Sequence, residues 1–278
     1  MMSRDSTAIP VAVPAGESAT RPLAGRHAVV TGGGRGIGAA IAMALGGLGA
    51  SLTLVGRTRA ALDEQRFRIE EAAHVPVFAA EADVTESETV ARALDQAVGA
   101  HGPVSVLINN AGAAQSAPFT RTDRAMWDAM MAVNVTAAFT CSQAVLPAMR
   151  DAGWGRIVNI ASTAGLRGYR YVSAYCAAKH ALVGLTRALA LELADTAITV
   201  NAVCPGFTDT DLLTEAVKNI TAKTRMDEAA ARAELARTNP QGRLITPDEV
   251  AHAVAWLCHP ESGSITGQSI AVAGGEVT

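Results

Sequence analysis

Short apolar runs alternate with helix-prone stretches along nearly the whole chain, and this alternation restricts the possible folds more than any other feature. HAVVTG (27–32), SLTLVG (51–56), VPVFAAEADV (75–84), VSVLINNAG (104–112), GRIVNIAS (155–162), AITVNAVCPG (197–206) and SIAVAGG (269–275) read as strands. Helices are predicted over 36–48, 58–73, 86–100, 123–151, 173–194 and 247–258. The strand runs are nearly continuous in apolar residues, so both sheet faces are expected to be covered. Strict strand–helix alternation builds βαβ units and a doubly wound parallel sheet, an α/β fold. Ligands of such sheets bind beyond the carboxyl ends of the strands. TGGG, the end of ADV, NNAG, IAS and CPG all fall there.

The chain has 278 residues, 49% of them hydrophobic and 18% charged. That suits one large α/β domain. A net charge of −3 argues against nucleic acid or an anionic membrane as partner. No run approaches the ~20 apolar residues of a membrane span. Cys141, Cys176, Cys204 and Cys258 form no C-x-x-C pair. They read as buried free thiols in a reducing cytoplasm, with no metal site. Residues 1–24 are rich in Pro, Ser, Thr and Ala, and Asp5, Glu17 and three prolines break any signal-like run. A disordered tail is expected there, followed by one domain over 25–278. The polar, helix-prone insertion 207–243 does not fit the alternation and is a candidate substrate lid.

Tyr175 and Lys179 stand four apart in YCAAK, with Ser162 upstream in IAST. On a helix, positions i and i+4 share a face. A free phenol ionises near pKa ~10 and is a poor acid–base group at neutral pH. A Lys ammonium beside it favours the phenolate and is expected to lower that pKa. A Ser hydroxyl nearby can polarise a carbonyl oxygen while Tyr175 gives or takes a proton.

TGGGRGIG (31–38) follows the first strand and opens the first helix. Small residues let the backbone approach a pyrophosphate, and the helix N-terminus favours its charge. The spacing is T-G-x-x-x-G-x-G, with no Lys-Ser/Thr after it, which disfavours a nucleoside triphosphate loop. The second strand ends in Val55-Gly56-Arg57 without the acid that binds an NAD ribose. Arg57, with Arg35 as a second guanidinium, suits a 2′-phosphate, so NADP is favoured over NAD. Asp83, followed by Val84, is placed to receive the adenine amino group.

Together, TGGGRGIG, Asp83, NNAG (109–112), Asn134, Ser162, Tyr175-x-x-x-Lys179 and Pro205-Gly206 with Thr208 resemble the short-chain dehydrogenase/reductase family, in its compact one-domain branch. The resemblance spans about residues 25–275 and implies a single-domain Rossmann-type three-layer fold. It implies that Tyr175 is the general acid in carbonyl reduction, with Lys179, Ser162 and Asn134 as its catalytic partners. Lys179 would bind the nicotinamide ribose, and Asn134 would hold a water relay. Thr31, Gly32, Gly34, Arg35, Gly36, Ile37 and Gly38 would bind the cofactor. Asn110, Ala111 and Gly112 would line the adenosine side, and Pro205, Gly206 and Thr208 the nicotinamide. Gln115, Ser116, Leu166, Tyr169 and Tyr171 are expected to face the substrate.

The activity implied is interconversion of a ketone and a secondary alcohol. The helix after Tyr175 and the closing SITGQSIAVAGGEV are similar to 3-oxoacyl thioester reductases, and His180 after Lys179 to 3-hydroxybutyrate dehydrogenases. The resemblance also implies a homotetramer. A non-catalytic dinucleotide sensor would usually lose Tyr or Lys. An epimerase or enoyl reductase would have different Gly-loop or Tyr–Lys spacing.

Overall fold

The computed structural model describes residues 21–277. Most of the expected tail therefore lies outside the described residues, but 21–24 belong to the fold. Leu23 is fully buried, and its N–H donates to the Leu48 carbonyl at 2.9 Å. A single Leu in a polar stretch gave no periodic signal, yet it caps the first layer of the core.

Seven strands form one parallel sheet in the order β3-β2-β1-β4-β5-β6-β7. They are β1 (His27–Thr31), β2 (Ser51–Gly56), β3 (Val77–Glu81), β4 (Val104–Asn109), β5 (Gly155–Ile160), β6 (Ile198–Pro205) and β7 (Ser269–Val272). One face carries α1 (Gly36–Gly47), α2 (Arg59–Ala73) and α9 (Pro247–Cys258); the other carries α3 (Ser87–His101), α5 (Ala137–Asp151) and α6 (Ser173–Glu192). Period-2 geometry divides each strand between the layers. On β1, Ala28 and Val30 meet Ile41, Leu45 and Val254, whereas Val29 meets Val90 and Val145. Burying each large aliphatic side chain contributes about 1.5–3 kcal/mol.

The insertion folds as α7 (Asp211–Lys223) and α8 (Glu228–Ala236), packed through Leu213, Val217 and Ala231. The long helix expected over 123–151 is divided. It comprises α4 (Arg124–Met131), a π-helical turn at Ala132–Thr136, and α5. By length and composition Arg124–Asp151 could cross a membrane, although polar residues interrupt its apolar stretches. Here its first part packs on α6 and its last part on β4.

β1 opens on a buried His27. Its Nδ1 donates to the Gly102 carbonyl at 2.8 Å, and its Nε2 accepts from the Thr53 hydroxyl at 2.9 Å. Burial, outweighing the Gly102 bond, holds its pKa down at about 4 against 6.5. Between those values the unfolded chain binds a proton that the folded chain does not. Stability is therefore full above pH 6.5 and falls as pH drops toward 4, by about 3 kcal/mol at most for this group. Denaturant midpoints measured from pH 7 to pH 4.5 should show this loss, and His27→Gln should flatten the slope. Equal slopes in both proteins would rule out His27 as the titrating group.

Candidate active site

The sheet order reverses between β1 and β4, which opens a crevice at their carboxyl ends. Thr31 ties the crevice together. Its hydroxyl accepts N–H bonds from Asn110 and Ala111, both at 3.0 Å, and donates to the Ile108 carbonyl. The Asn110 amide donates back to the carbonyls of Thr31 (2.9 Å) and Gly32 (3.2 Å).

The Gly-rich turn lies against this junction. Gly32 and Gly36 adopt φ of +65° and +55°, which L side chains rarely adopt. A Cβ on Gly38 would sit on the Gly32 carbonyl, so only glycine lets α1 begin so close to the turn. Gly34 lies over α2 beside Leu62, and Ile37 packs against the core. Arg35 precedes α1 with no side-chain cap, and no acid lies in the first turn. The α1 N-terminus therefore presents unpaired N–H groups and a partial positive charge. A backbone cradle of small residues beside a helix N-terminus fits a dinucleotide pyrophosphate.

Arg57 is exposed at the end of β2. Its charge lies near Asp83, whose carboxylate is held below its usual range chiefly by the Thr85 N–H and hydroxyl, and less by Arg57. Val84 beside it is buried. Arg35, expected to assist Arg57, instead pairs with Asp211 of α7 at 3.4 Å, both side chains about 70% exposed. An exposed pair of this kind is worth little.

At the end of β5, Ser162 opens a short 3-10 turn, and its hydroxyl accepts the Ala164 N–H at 3.1 Å. The Tyr175 phenol lies near the same hydroxyl, a neighbour that favours its ionised form. Tyr175 is half-buried on α6, packed with Met130, Ala174 and Ala178. Burial pushes its pKa up to about 12, and the nearby Ser162 hydroxyl offsets only part of that. This differs from the expectation that Lys179 would lower it. The Lys179 ammonium lies 5.7 Å from the Tyr175 ring centre and donates instead to the Ile160 carbonyl at 2.8 Å. Lys179 is 4% exposed, and burial lowers its own pKa to about 8.

Asn134 sits in the π-helical turn, buried, and its amide donates to the carbonyls of Ala113 (2.9 Å) and Met130 (3.0 Å). Its Oδ1 is buried without a partner among the described residues. A Cβ on Gly112 would meet that oxygen at 2.8 Å and the Lys179 ammonium at 3.6 Å. Gly112 thus keeps open the space that Asn134 and Lys179 share. Buried amides support these helices from below. Asn109 donates to Asn159 (2.8 Å) and to the Ser142 hydroxyl (3.1 Å), and Asn159 donates to Thr186 on α6 (2.9 Å).

Pro205 ends β6, Gly206 donates its N–H to the Val272 carbonyl, and the Thr208 hydroxyl donates to the Gly206 carbonyl. Thr210, two residues on, touches Gly36, so the insertion begins against the Gly-rich turn.

The expected substrate side chains separate. Tyr169 joins the site through Thr163, at 2.7 Å. Gln115 and Ser116 are exposed on the loop after β4, which the Ala117 N–H pins to the Tyr171 carbonyl. Tyr171 points largely to solvent. Leu166 packs with Ala161, Leu182 and Cys204, in a different cluster from Tyr175. Sequence reasoning passed over Glu276, although a lone acid after Gly274-Gly275 in an apolar segment was a visible signal. Its carboxylate hydrogen-bonds the Tyr169 phenol.

Residues 26–221 match the family described as short chain dehydrogenase. An acetoacetyl-CoA reductase of Rhizobium meliloti (strain 1021) is 36% identical over 251 residues, 90% of this chain and 98% of the relative. A D-beta-hydroxybutyrate dehydrogenase of the same strain is 35% identical over 255 residues, again 90% and 98%. A crystal structure of an actinorhodin polyketide ketoreductase variant with NADPH superposes with a TM-score of 0.87 at 36% identity, covering 90% of this chain and 97% of that one. With that match, those relatives and the crevice that gathers Ser162, Tyr175 and Lys179, the chain belongs to the short-chain dehydrogenase family of nicotinamide-dependent oxidoreductases.

Proposed function

We propose that this protein is an NADPH-dependent reductase of 3-oxoacyl thioesters or closely related neutral ketones, with Tyr175 as proton donor. The observation that carries this reading is the grouping of the Ser162 hydroxyl, the Tyr175 phenol and the buried Lys179 ammonium beside Gly112 and Asn134. The names of the acetoacetyl-CoA reductase and the ketoreductase relatives support the substrate class. An NAD-dependent 3-hydroxybutyrate-type dehydrogenase is the second reading, supported by the name of the other Rhizobium relative.

The Gly-rich turn, Asp83 with Val84, Asn110–Gly112 and Pro205–Thr208 would hold the dinucleotide, which when bound supplies the hydride. Arg57 is an exposed guanidinium at the β2 end, suited to a 2′-phosphate, whereas neighbouring Arg59 is paired with Asp63 at 2.8 Å. Ser162 orients the carbonyl oxygen. Tyr175, held protonated by its burial, delivers a proton to that oxygen as it gains charge. Lys179 offsets the phenolate left behind. The unpartnered Asn134 oxygen, close to Lys179, can accept from a water that returns the proton. Helices α7 and α8 form a lid over the cradle, as supported by the Thr210–Gly36 and Arg35–Asp211 contacts. Exposed Phe139 on α5 and Leu191 on α6 support a homotetramer built on these helices. Four buried free thiols suit a reducing cytoplasm.

Tyr175→Phe should lower turnover by at least ~10²-fold, the usual worth of a placed acid–base group, with NADPH affinity nearly intact. Substantial residual turnover would refute the proton-donor role. Because Lys179 loses its charge near pH 8, kcat/KM for reduction should fall as pH rises through that value; a flat profile from pH 7 to 10 would count against its charge. Arg57→Ala should weaken NADPH binding by ~1.5–3 kcal/mol, the value of a charged hydrogen bond, and spare NADH. Equal losses for both would sink the NADP assignment.

A further inference from the structure

After β7 the chain turns through Gly274 and Gly275, at φ of +60° and +92°, and brings Glu276 back over the end of the sheet. Its Oε1 accepts the single Tyr169 phenolic proton, and that phenol accepts in turn from the Thr163 hydroxyl at 2.7 Å. Thr163 adjoins Ser162. The other oxygen, Oε2, lies 3.0 Å from where a Cβ on Gly206 would stand. The carboxylate therefore bridges the segment that carries Ser162 and the Pro205-Gly206 segment, the two segments that the proposed reading places on either side of the carbonyl.

Oε2 is buried and has no hydrogen-bond partner among the described residues. No basic side chain among them forms an ion pair with this carboxylate. Arg167 is the nearby cation, but it donates to the Glu276 backbone carbonyl at 3.3 Å and lies over the Tyr169 ring at 5.1 Å, exposed to solvent. A carboxylate with one buried, unused acceptor oxygen discriminates in two ways. It repels a second anion in a medium that screens poorly, and it favours a neutral group that brings a donor.

We propose that Glu276 is a charge filter on the substrate. It disfavours ketones and alcohols with a carboxylate close to the reacting carbon relative to neutral 3-oxo compounds, thioesters among them. This rests on the reading of the site as a carbonyl reductase and separates its two versions, because 3-hydroxybutyrate carries such a carboxylate and a 3-oxoacyl thioester does not.

Acetoacetate and acetoacetamide have nearly the same shape and differ in charge, so they are the probes. With NADPH, the wild-type protein should prefer the amide in kcat/KM by tenfold or more. Glu276→Gln, which keeps an acceptor for Tyr169, should shrink that ratio about tenfold, equivalent to about 1.4 kcal/mol. An unchanged ratio in Glu276→Gln, or a wild-type preference for the acid, overturns the filter while leaving the reductase reading intact. If no 3-oxo probe, thioesters included, supports NADPH oxidation, the reductase reading fails. The filter is then decided by Kd values of the same pair for the protein–NADP⁺ complex, where equal values in wild type and variant overturn it. Should Glu276→Gln not fold, Glu276→Ser gives the same comparison.

Discussion

The hydroxyl of Thr31 is the fixed point on which the site depends. It accepts two backbone N–H groups from the turn after β4 and donates to a third group on β4 itself. Neighbouring strands in a parallel sheet share hydrogen bonds along their length, but beyond their ends nothing in the ladder holds the two turns together. Thr31 and Asn110 supply that link by bonding reciprocally across the gap. Gly38 can then bring α1 against the turn, and Gly112 faces Asn134 and Lys179. Loss of the Thr31 hydroxyl would leave the Ala111 N–H without its partner and the Asn110 N–H with only the Ile108 carbonyl, loosening the link between the two walls of the crevice.

The chemistry of the site follows from burial as much as from proximity. Tyr175 and Lys179 are both displaced toward their neutral forms by the low-dielectric interior. A phenol held protonated is prepared to donate. A Lys brought toward neutrality responds strongly to any anion that forms nearby. The Asn109–Asn159–Thr186 chain holds β4, β5 and α6 in register under this pair. Because every member is satisfied, it adds rigidity where an unpaired amide would cost stability.

Much of this was legible in the sequence because it is local. Short apolar runs marked all seven strands, and the spacing within 31–38 and 175–179 marked the two halves of the site. Three features resisted such reading. The π-helical turn at Ala132–Thr136 contains no proline or glycine to mark it, so one unbroken helix was expected. The Lys179–Tyr175 relation depended on a competing acceptor, the Ile160 carbonyl, which no spacing rule includes. Glu276 meets Tyr169 across more than one hundred residues of chain, and only the closed sheet brings the two together. Leu166 packs partly buried against Ala161, Leu182 and Cys204, and Tyr171 stands exposed at a φ of +67°, arrangements that no spacing rule indicates.

The π-helical turn also changes what one stretch of helix can do. A regular helix advances about 100° per residue, so widening a single turn rotates everything after it relative to everything before. Residues Arg124–Met131 therefore face α6, and Ala137–Asp151 face the sheet and α3, although the axis continues without a proline break at the junction. One continuous rod addresses two surfaces that a uniform helix could not both satisfy. The residue at the change of phase is Asn134, so the distortion that permits the packing is also what turns a buried amide toward the lysine.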